Sequence, residues 1–167
     1  MKTINNIDEL IKYIKKSNPK LLVIDGRDGS GKTYLAKQLH SKLGGTHLTE
    51  EKYRTSNLNG EFEPKFDELI LDMARSLPKG SVIYDSVLML WINDQCGIKP
   101  DLTIYVKKMS QMGLWSDEVE LDDDMSKEEA IIKADKMGGT RFRKQIISYH
   151  FDYLPHKTAD IIYERLE

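Results

Sequence analysis

The sequence has little of what a disulfide-stabilised, membrane-spanning or nucleic-acid-binding protein requires. Its single cysteine, Cys96, excludes an internal disulfide bond. Its longest apolar run, residues 87–92, is far too short to span a bilayer. No apolar segment with a cleavage site follows Met1, and the formal net charge of −2 argues against a general nucleic-acid or membrane surface. We therefore expect a cytoplasmic protein with neither a nucleic-acid partner nor a membrane partner.

The composition is that of an ordinary globular protein. Hydrophobic residues make up 40% of the 167 residues and charged residues 31%, which is enough apolar material for a core. The length fits one compact domain and leaves no room for a second full one. We predict a single domain over residues 1–167, with an N-terminal helix at about 6–17 and a lid segment at about 138–152.

The most informative segment is GRDGSGKT at residues 26–33, which has the pattern GxxxxGK[ST] of a phosphate-binding loop. Glycines allow positive φ and a close approach of backbone N–H groups to phosphate oxygens. Lys32 adds a cation for the β- and γ-phosphates, and the Thr33 hydroxyl is a ligand for Mg²⁺. The predicted nucleotide-binding residues are Gly26, Asp28, Gly29, Ser30, Gly31, Lys32, Thr33 and Tyr34.

The loop has the flanking segments that such a site needs. Residues 21–24 form an apolar run of strand length, and a helix with an apolar face follows from Tyr34. Further strands are predicted at 46–49, 81–85, 102–106 and 159–163, with helical segments between them. This alternation predicts an α/β P-loop NTPase fold, with a parallel sheet of about five strands and helices on both faces. A ligand would bind at the carboxyl ends of the strands.

The other segments are predicted from their caps and polarity. Residues 50–60 are polar and loop-like, and thus available to a substrate. Pro64 suits the first position of the next helix. The buried face of that helix is predicted to be Phe66, Leu69, Ile70, Met73 and Leu77. A capping box of Ser126 and Glu129 predicts a helix to Lys136, and another helix follows from about 140 to 151.

Carboxylates follow two of the predicted strands. Asp85 ends the strand at 81–85 and would face Thr33 as a second Mg²⁺ ligand if the strands are neighbours, although a strand-ending turn residue is the alternative. Glu50 and Glu51 follow the strand at 46–49. Phosphoryl transfer to an alcohol needs a carboxylate base, so we predict Glu51, or else Glu50, in that role. Two surface glutamates are an equally simple interpretation.

Arg141 and Arg143 follow the glycine pair 138–139 and suggest a mobile lid whose guanidinium groups stabilise the transferred phosphoryl group. A solvated basic helix start is the alternative. The four histidines lack metal-ligand spacing, and His47 lies nearest to the inferred substrate edge. An acidic run is predicted to be a solvated loop; its members are Asp117, Glu118, Glu120, Asp122, Asp123 and Asp124.

The chain resembles the uridine kinase family of P-loop nucleoside kinases and its phosphoribulokinase relatives. The segments that carry the resemblance are VIDGRDGSGKTYLAKQL, HLTEEKY, FEPKFDELI, VIYDSVLML and TRFRKQIISYHFDYLPHKTADIIYE. The resemblance implies a catalytic acid at Glu50 or Glu51, a substrate-contacting tyrosine at Tyr53, and a substrate-loop acid at Glu63. One departure is Asp85-Ser86, where the family usually has Glu-Gly.

These features predict an enzyme, a kinase that transfers the γ-phosphoryl group of ATP, with Mg²⁺, to a hydroxyl of a small molecule. The resemblance implies a nucleoside such as uridine as the acceptor. Two alternatives remain open at this point: a P-loop NTPase or switch without a small-molecule acceptor, and a catalytically impaired kinase relative that only binds nucleotide.

Overall fold

The computed structural model describes residues 1–121 and 124–166 of the chain. Within them, eight strands form two sheets: β1 (Lys2–Ile4), β2 (Leu21–Asp25), β3 (Thr46–Thr49), β4 (Arg54–Ser56), β5 (Phe62–Pro64), β6 (Val82–Asp85), β7 (Leu102–Met109) and β8 (Ile161–Leu166). Six of them make a parallel sheet in the order β1-β8-β7-β2-β6-β3, and β4 and β5 make an antiparallel hairpin. The predicted parallel sheet is confirmed.

Helices cover both faces of the main sheet. They are α1 (Ile7–Ser17), α2 (Lys32–Leu43), α3 (Glu50–Tyr53), α4 (Phe66–Ser76), α5 (Met89–Cys96), α6 (Lys127–Lys136), α7 (Arg141–Tyr153) and α8 (Pro155–Thr158). Successive side chains of a strand point to opposite faces, and β2 shows this clearly. Leu22 and Ile24 pack with α1 and α2, whereas Leu21 and Val23 pack with residues of α4, α5 and α7. The predicted α/β layering is therefore confirmed.

Local capping signals place two helices where the sequence predicts them. The Asn6 side chain accepts hydrogen bonds from the N–H groups of Asp8 and Glu9 at the start of α1. Ser126 and Glu129 form the predicted reciprocal capping box of α6. Such caps satisfy the N–H groups that a helix start leaves unpaired, so the signal is local and readable from sequence.

Four details differ from the predictions. The sheet has a sixth strand, β1, at the edge beside β8. Pro64 ends β5 opposite Arg54, so α4 begins only at Phe66. Ile70 lies 42% exposed, outside the buried face of α4. The stretch 50–60 is not simply a polar loop, since it contains α3 and β4.

No helix in the part of the chain that the structure describes is both long enough and apolar enough to cross a membrane.

Candidate active site

The phosphate-binding loop connects the carboxyl end of β2 to the first residue of α2. Gly26 has φ 151°, and a Cβ there would lie 2.9 Å from the carbonyl oxygen of Val106. Gly29 has φ 76°, and nothing lies within 4 Å of the place where its Cβ would be. The hydroxyl of Ser30 is buried and has no hydrogen-bond partner among the described residues. The loop thus has the backbone conformation, the open face and the free polar group of an anion cradle.

Lys32 points into this loop, as the motif requires. Its Nζ donates to the carbonyl oxygen of Arg27 at 2.8 Å, and only 6% of the residue is exposed. Burial lowers the pKa of the Lys32 ammonium, while the carboxylates of Glu50 and Asp25 oppose that shift. Lys32 is therefore a buried cation whose charged form is favoured by carboxylates around it.

Thr33 and Asp85 meet as predicted. The Thr33 Oγ1 donates to Asp85 Oδ2 at 2.6 Å, because β6 pairs directly with β2 and brings Asp85 opposite Ile24. Asp85 is only 1% exposed. One hydroxyl and one carboxylate suit Mg²⁺, which takes few protein ligands and fills its octahedron with phosphate oxygens and water. Within residues 1–121 and 124–166, no group of three or more His, Cys, Asp or Glu side chains is arranged to hold a metal.

His47, which the sequence analysis places nearest to the inferred substrate edge, lies against the carboxylate of Asp85 in the structure. Its Nε2 lies 2.5 Å from Asp85 Oδ1, because β3 pairs with β6 and ends beside Asp85. The two carboxylate oxygens of Asp85 are therefore directed at two different side chains, His47 and Thr33. Together, His47 and Thr33 fix the orientation of the Asp85 carboxylate.

Of the two adjacent glutamates, Glu50 is the one that the structure brings to the site. Its Oε2 accepts the N–H of Val87 at 2.8 Å and lies 3.4 Å from the Ser86 hydroxyl, and Oε1 lies 3.3 Å from Arg54. Glu51 is exposed. Because α3 turns Glu50 inward and Glu51 outward, the structure places Glu50 and not Glu51 beside the loop, and the assignment of the base stays a prediction.

The predicted lid arginines differ in their surroundings. Arg141 is exposed, whereas Arg143 donates a hydrogen bond to the carboxylate of Glu120. Glu120 also pairs with Arg27 of the phosphate-binding loop, Nη2 to Oε2 at 2.6 Å, and Asp117 lies 3.3 Å from the other Arg27 nitrogen. Glu120 thus joins the loop to the start of α7.

The interpretation of the acidic run as a solvated loop is wrong for two of its members. Asp117 and Glu120 have side chains that are 23% and 16% exposed, and both are paired with Arg27. Burial raises the pKa of Asp117, and the charge of Arg27 opposes that shift. Asp122 and Asp123 lie outside the described residues.

Tyr53 and Glu63, which the family resemblance assigns to substrate, differ in their surroundings: Tyr53 is buried and Glu63 is exposed. Tyr53 is 1% exposed in the core, and its hydroxyl donates to Asp72 at 2.8 Å. Glu63 is exposed on β5 opposite Thr55. The resemblance therefore does not transfer for Tyr53, because α3 directs this ring into the core.

Asp25 is a site residue that the sequence prediction missed. Its Oδ1 accepts the N–H of Gly26 at 2.7 Å, and its Oδ2 accepts the hydroxyl of Tyr149. Burial raises the pKa of Asp25 to about 6, although both hydrogen bonds act to lower it. The available signal was a carboxylate at the end of an apolar strand, next to the first glycine of the motif. Its partner in α7 could not be read from that position.

No protein-family model matches the chain, and no curated protein matches it in sequence. Solved structures do match. The structure of a possible uridine kinase from Bacillus stearothermophilus is similar with a TM-score of 0.62 at 17% identity, covering 94% of this chain and 96% of that one. An uncharacterized protein from Eubacterium ventriosum has a TM-score of 0.45 at 14% identity, covering 87% and 88%. The similarity to the first structure shows that this chain has a P-loop kinase-like fold.

Proposed function

We propose that this protein is an ATP-dependent small-molecule kinase that transfers the γ-phosphoryl group to a substrate hydroxyl. The observation that carries the proposal is the contact between Thr33 Oγ1 and Asp85 Oδ2 at 2.6 Å, beside the buried Lys32 and the buried carboxylate of Glu50. A phosphate cradle, a pair of Mg²⁺ ligands and an adjacent carboxylate are the parts that phosphoryl transfer to an alcohol requires.

Each of these residues has a role in the proposed reaction. The loop N–H groups and Lys32 hold the phosphates, and Thr33 and Asp85 would hold Mg²⁺. That ion, when bound, neutralises charge on the phosphate oxygens. Glu50 orients the acceptor hydroxyl and accepts its proton as the bond from the acceptor oxygen to phosphorus forms and the bond to the β–γ bridging oxygen of ATP breaks. The products are ADP and a phosphate monoester.

We further propose that Arg143 stabilises the transferred phosphoryl group. Arginine presents a planar fork of donors that matches phosphate geometry. Arg143 is close to the loop, because it pairs with the same carboxylate, Glu120, as Arg27 of the loop. Arg141, being exposed, would join only when the start of α7 moves toward bound phosphate.

A nucleoside such as uridine is our proposed acceptor. The support is the fold similarity to a possible uridine kinase over 94% of this chain, together with the family motifs that surround Lys32 and Glu50.

One observation favours the second candidate, a nucleotide-binding protein or NTPase without an acceptor. Both carboxylate oxygens of Glu50 are engaged, by the N–H of Val87 and by Arg54. A base that stays engaged in this way orients neighbouring backbone and side chains and does not take a proton from an alcohol.

The test is acceptor-dependent ADP release with a panel of nucleosides, for the wild type, Lys32→Ala and the exposed control Lys37→Ala. We expect release that depends on one acceptor in the wild type and in Lys37→Ala, and loss of release in Lys32→Ala at an unchanged melting temperature. ADP release that needs no acceptor would support an NTPase, and tight ATP binding without release would support the impaired relative.

A further inference from the structure

The carboxylate of Glu120 pairs with two arginines from different parts of the candidate site. Its Oε2 accepts a hydrogen bond from Arg27 Nη2 of the phosphate-binding loop at 2.6 Å. Its Oε1 accepts one from Arg143 Nη2, in the first turn of α7. The side chains of Arg27, Glu120 and Arg143 are 10%, 16% and 32% exposed, so both pairs are partly shielded from water. One carboxylate thus has each of its oxygens on a different guanidinium group.

Two guanidinium groups around one oxyanion are also an arrangement that binds a phosphoryl group. Carboxylate and phosphate oxygens are both anionic acceptors, and both suit the planar donors of arginine. In the proposed reaction Arg143 stabilises the transferred phosphoryl group, and in the structure the same guanidinium group donates to Glu120. A phosphoryl group and Glu120 therefore compete for Arg143.

The two arginines differ in what they would lose if their pair with Glu120 opened. Arg27 has a second carboxylate beside it, because Asp117 Oδ1 lies 3.3 Å from its Nη1. If Arg143 leaves Glu120, Arg27 keeps both of these carboxylates. Arg143 is also the more exposed of the two arginines, so water solvates its guanidinium group while it changes partner. The pair between Glu120 and Arg143 is therefore the one that opens more readily.

A phosphate group in the loop would lie close to this pair. Lys32, which would hold the β- and γ-phosphates, donates from Nζ to the carbonyl oxygen of Arg27 at 2.8 Å. Burial raises the pKa of Asp117, and cations that include Arg27 and Lys32 act against that shift, so the acidic segment lies within electrostatic reach of Lys32. The negative charges of a triphosphate at Lys32 would repel Glu120 and attract Arg143. Bound triphosphate thus favours the exchange of partners.

We propose that Glu120 competes with the γ-phosphate of the donor nucleotide for Arg143, and so lowers the affinity of the protein for nucleoside triphosphates. This inference rests on the proposed function, because that function places the γ-phosphate at Lys32 and Arg143. If the pair between Glu120 and Arg143 is open in about one molecule in ten, a ligand that needs the open pair binds about tenfold more weakly than it would without Glu120. ADP has no γ-phosphate and does not need Arg143. Glu120 should therefore weaken the binding of ATP and not that of ADP.

The test compares a non-hydrolysable ATP analogue with ADP by isothermal titration calorimetry, each with Mg²⁺. Glu120→Gln keeps the shape of the side chain and removes its charge. We expect this variant to bind the analogue about tenfold more tightly than the wild type and to change ADP binding by less than about twofold. Glu118→Gln removes the same charge at an exposed position two residues away, and it should bind both nucleotides as the wild type does.

Two further variants identify the cause of the change. In an Arg143→Gln background, Glu120→Gln should no longer tighten binding of the analogue, because no arginine remains to be released. Glu120→Asp keeps the charge but is one methylene shorter, so it cannot pair with both arginines as Glu120 does. It should tighten binding of the analogue in the same direction by a smaller factor. Melting temperatures show whether each variant is folded.

The outcomes separate this inference from the proposed function. Unchanged or weaker binding of the analogue in Glu120→Gln would overturn the competition and would indicate that Glu120 holds Arg143 in place for phosphate. Equal tightening of the analogue and ADP would overturn it as well, since it would reflect the loss of a charge alone. If Glu120→Gln did not fold, unchanged or weaker binding of the analogue in Glu120→Asp would decide against the competition. If the wild type bound neither nucleotide, the proposed function itself would fail.

Discussion

The hydroxyl of Tyr149 donates a hydrogen bond to the carboxylate of Asp25, and this contact ties α7 to the residue that leads into the phosphate-binding loop. Tyr149 also accepts the N–H of Leu90 at 3.0 Å, so α5 is part of the same connection. A displacement of α7 therefore acts directly on the residue before Gly26. One buried carboxylate thus connects the loop to α7, the helix that contains the proposed lid arginines.

The raised pKa of Asp25 predicts a pH dependence of stability. Burial raises this pKa from 3.8 to about 6, so the folded protein holds a proton that the unfolded chain has lost between these values. The free energy of unfolding should therefore fall as the pH rises through this window. Relative to Asp25→Asn, which does not titrate, the wild type should lose about 1 kcal/mol between about pH 5 and pH 7.5 in urea unfolding. A constant difference between the two proteins across that range would contradict the prediction.

Glu50→Gln and Glu51→Gln form a matched pair of variants for the catalytic base. We expect Glu50→Gln to lower the rate of acceptor-dependent ADP release by at least about 100-fold, the usual contribution of a general base. Glu51→Gln should remain close to the wild type because its side chain is exposed. Single-turnover kinetics with saturating ATP would measure both. The reverse order of effects would return the role to Glu51.

Asp85→Asn should raise the Mg²⁺ concentration needed for half-maximal binding of the nucleotide about tenfold or more, because it removes the charged oxygen beside Thr33 that we propose as a Mg²⁺ ligand. Binding of ATP without Mg²⁺ should not weaken, since the variant removes a negative charge near the phosphates. A Mg²⁺ titration followed by calorimetry separates the two. His47→Gln keeps the Asp85 carboxylate, so it should raise this Mg²⁺ concentration by a smaller factor. An equal increase in both variants would mean that Asp85 has no effect of its own when His47 is absent.

Glu120→Gln leaves Arg27 and Arg143 without their shared carboxylate. Because the Arg27 side chain is only 10% exposed, loss of one of its two carboxylate partners should lower the free energy of unfolding by about 2 kcal/mol, while Asp117 remains paired with it. Glu118→Gln, two residues away and exposed, is the control and should change stability little. Urea unfolding measures both variants, and equal stabilities would show that the pairing contributes nothing.

Ser126→Ala tests the capping box of α6. The Ser126 hydroxyl accepts the N–H of Glu129 at 3.2 Å, and its removal should cost about 1 kcal/mol. Ser41→Ala, at an exposed position inside α2, should be neutral or slightly stabilising because alanine is the better helix former. A thermal melt of the two variants gives the comparison. Equal melting temperatures would mean that α6 starts without this cap.

The contact between Thr33 and Asp85 shows which tertiary contacts a sequence pattern can predict. Thr33 belongs to the motif, and Asp85 ends an apolar run, so parallel pairing of two neighbouring strands was enough to bring them together. Strand ends meet at one edge of any such sheet, which is why this contact was predictable. The choice between Glu50 and Glu51 was not, because it depends on how one turn of α3 is rotated.

The acidic run shows where composition misleads. A cluster of carboxylates usually faces water, and nothing in its spacing identifies Glu120 as a partner of Arg27, which lies 93 positions away. The same holds for Tyr149 and Asp25, which are 124 positions apart. Such contacts exist only after the sheet has brought α7 and the acidic segment to the loop.

The order of residues along the chain is enough to determine the phosphate-binding loop, the helix caps and the alternation of strands and helices. Each of these depends on residues within a few positions of one another, where backbone preferences, capping and hydrophobic periodicity act. The packed fold decides which carboxylates meet which cations, that Glu50 and not Glu51 is buried, and that Tyr53 belongs to the core. These outcomes come from burial and from charge pairing over long separations, and neither is set by neighbours along the chain.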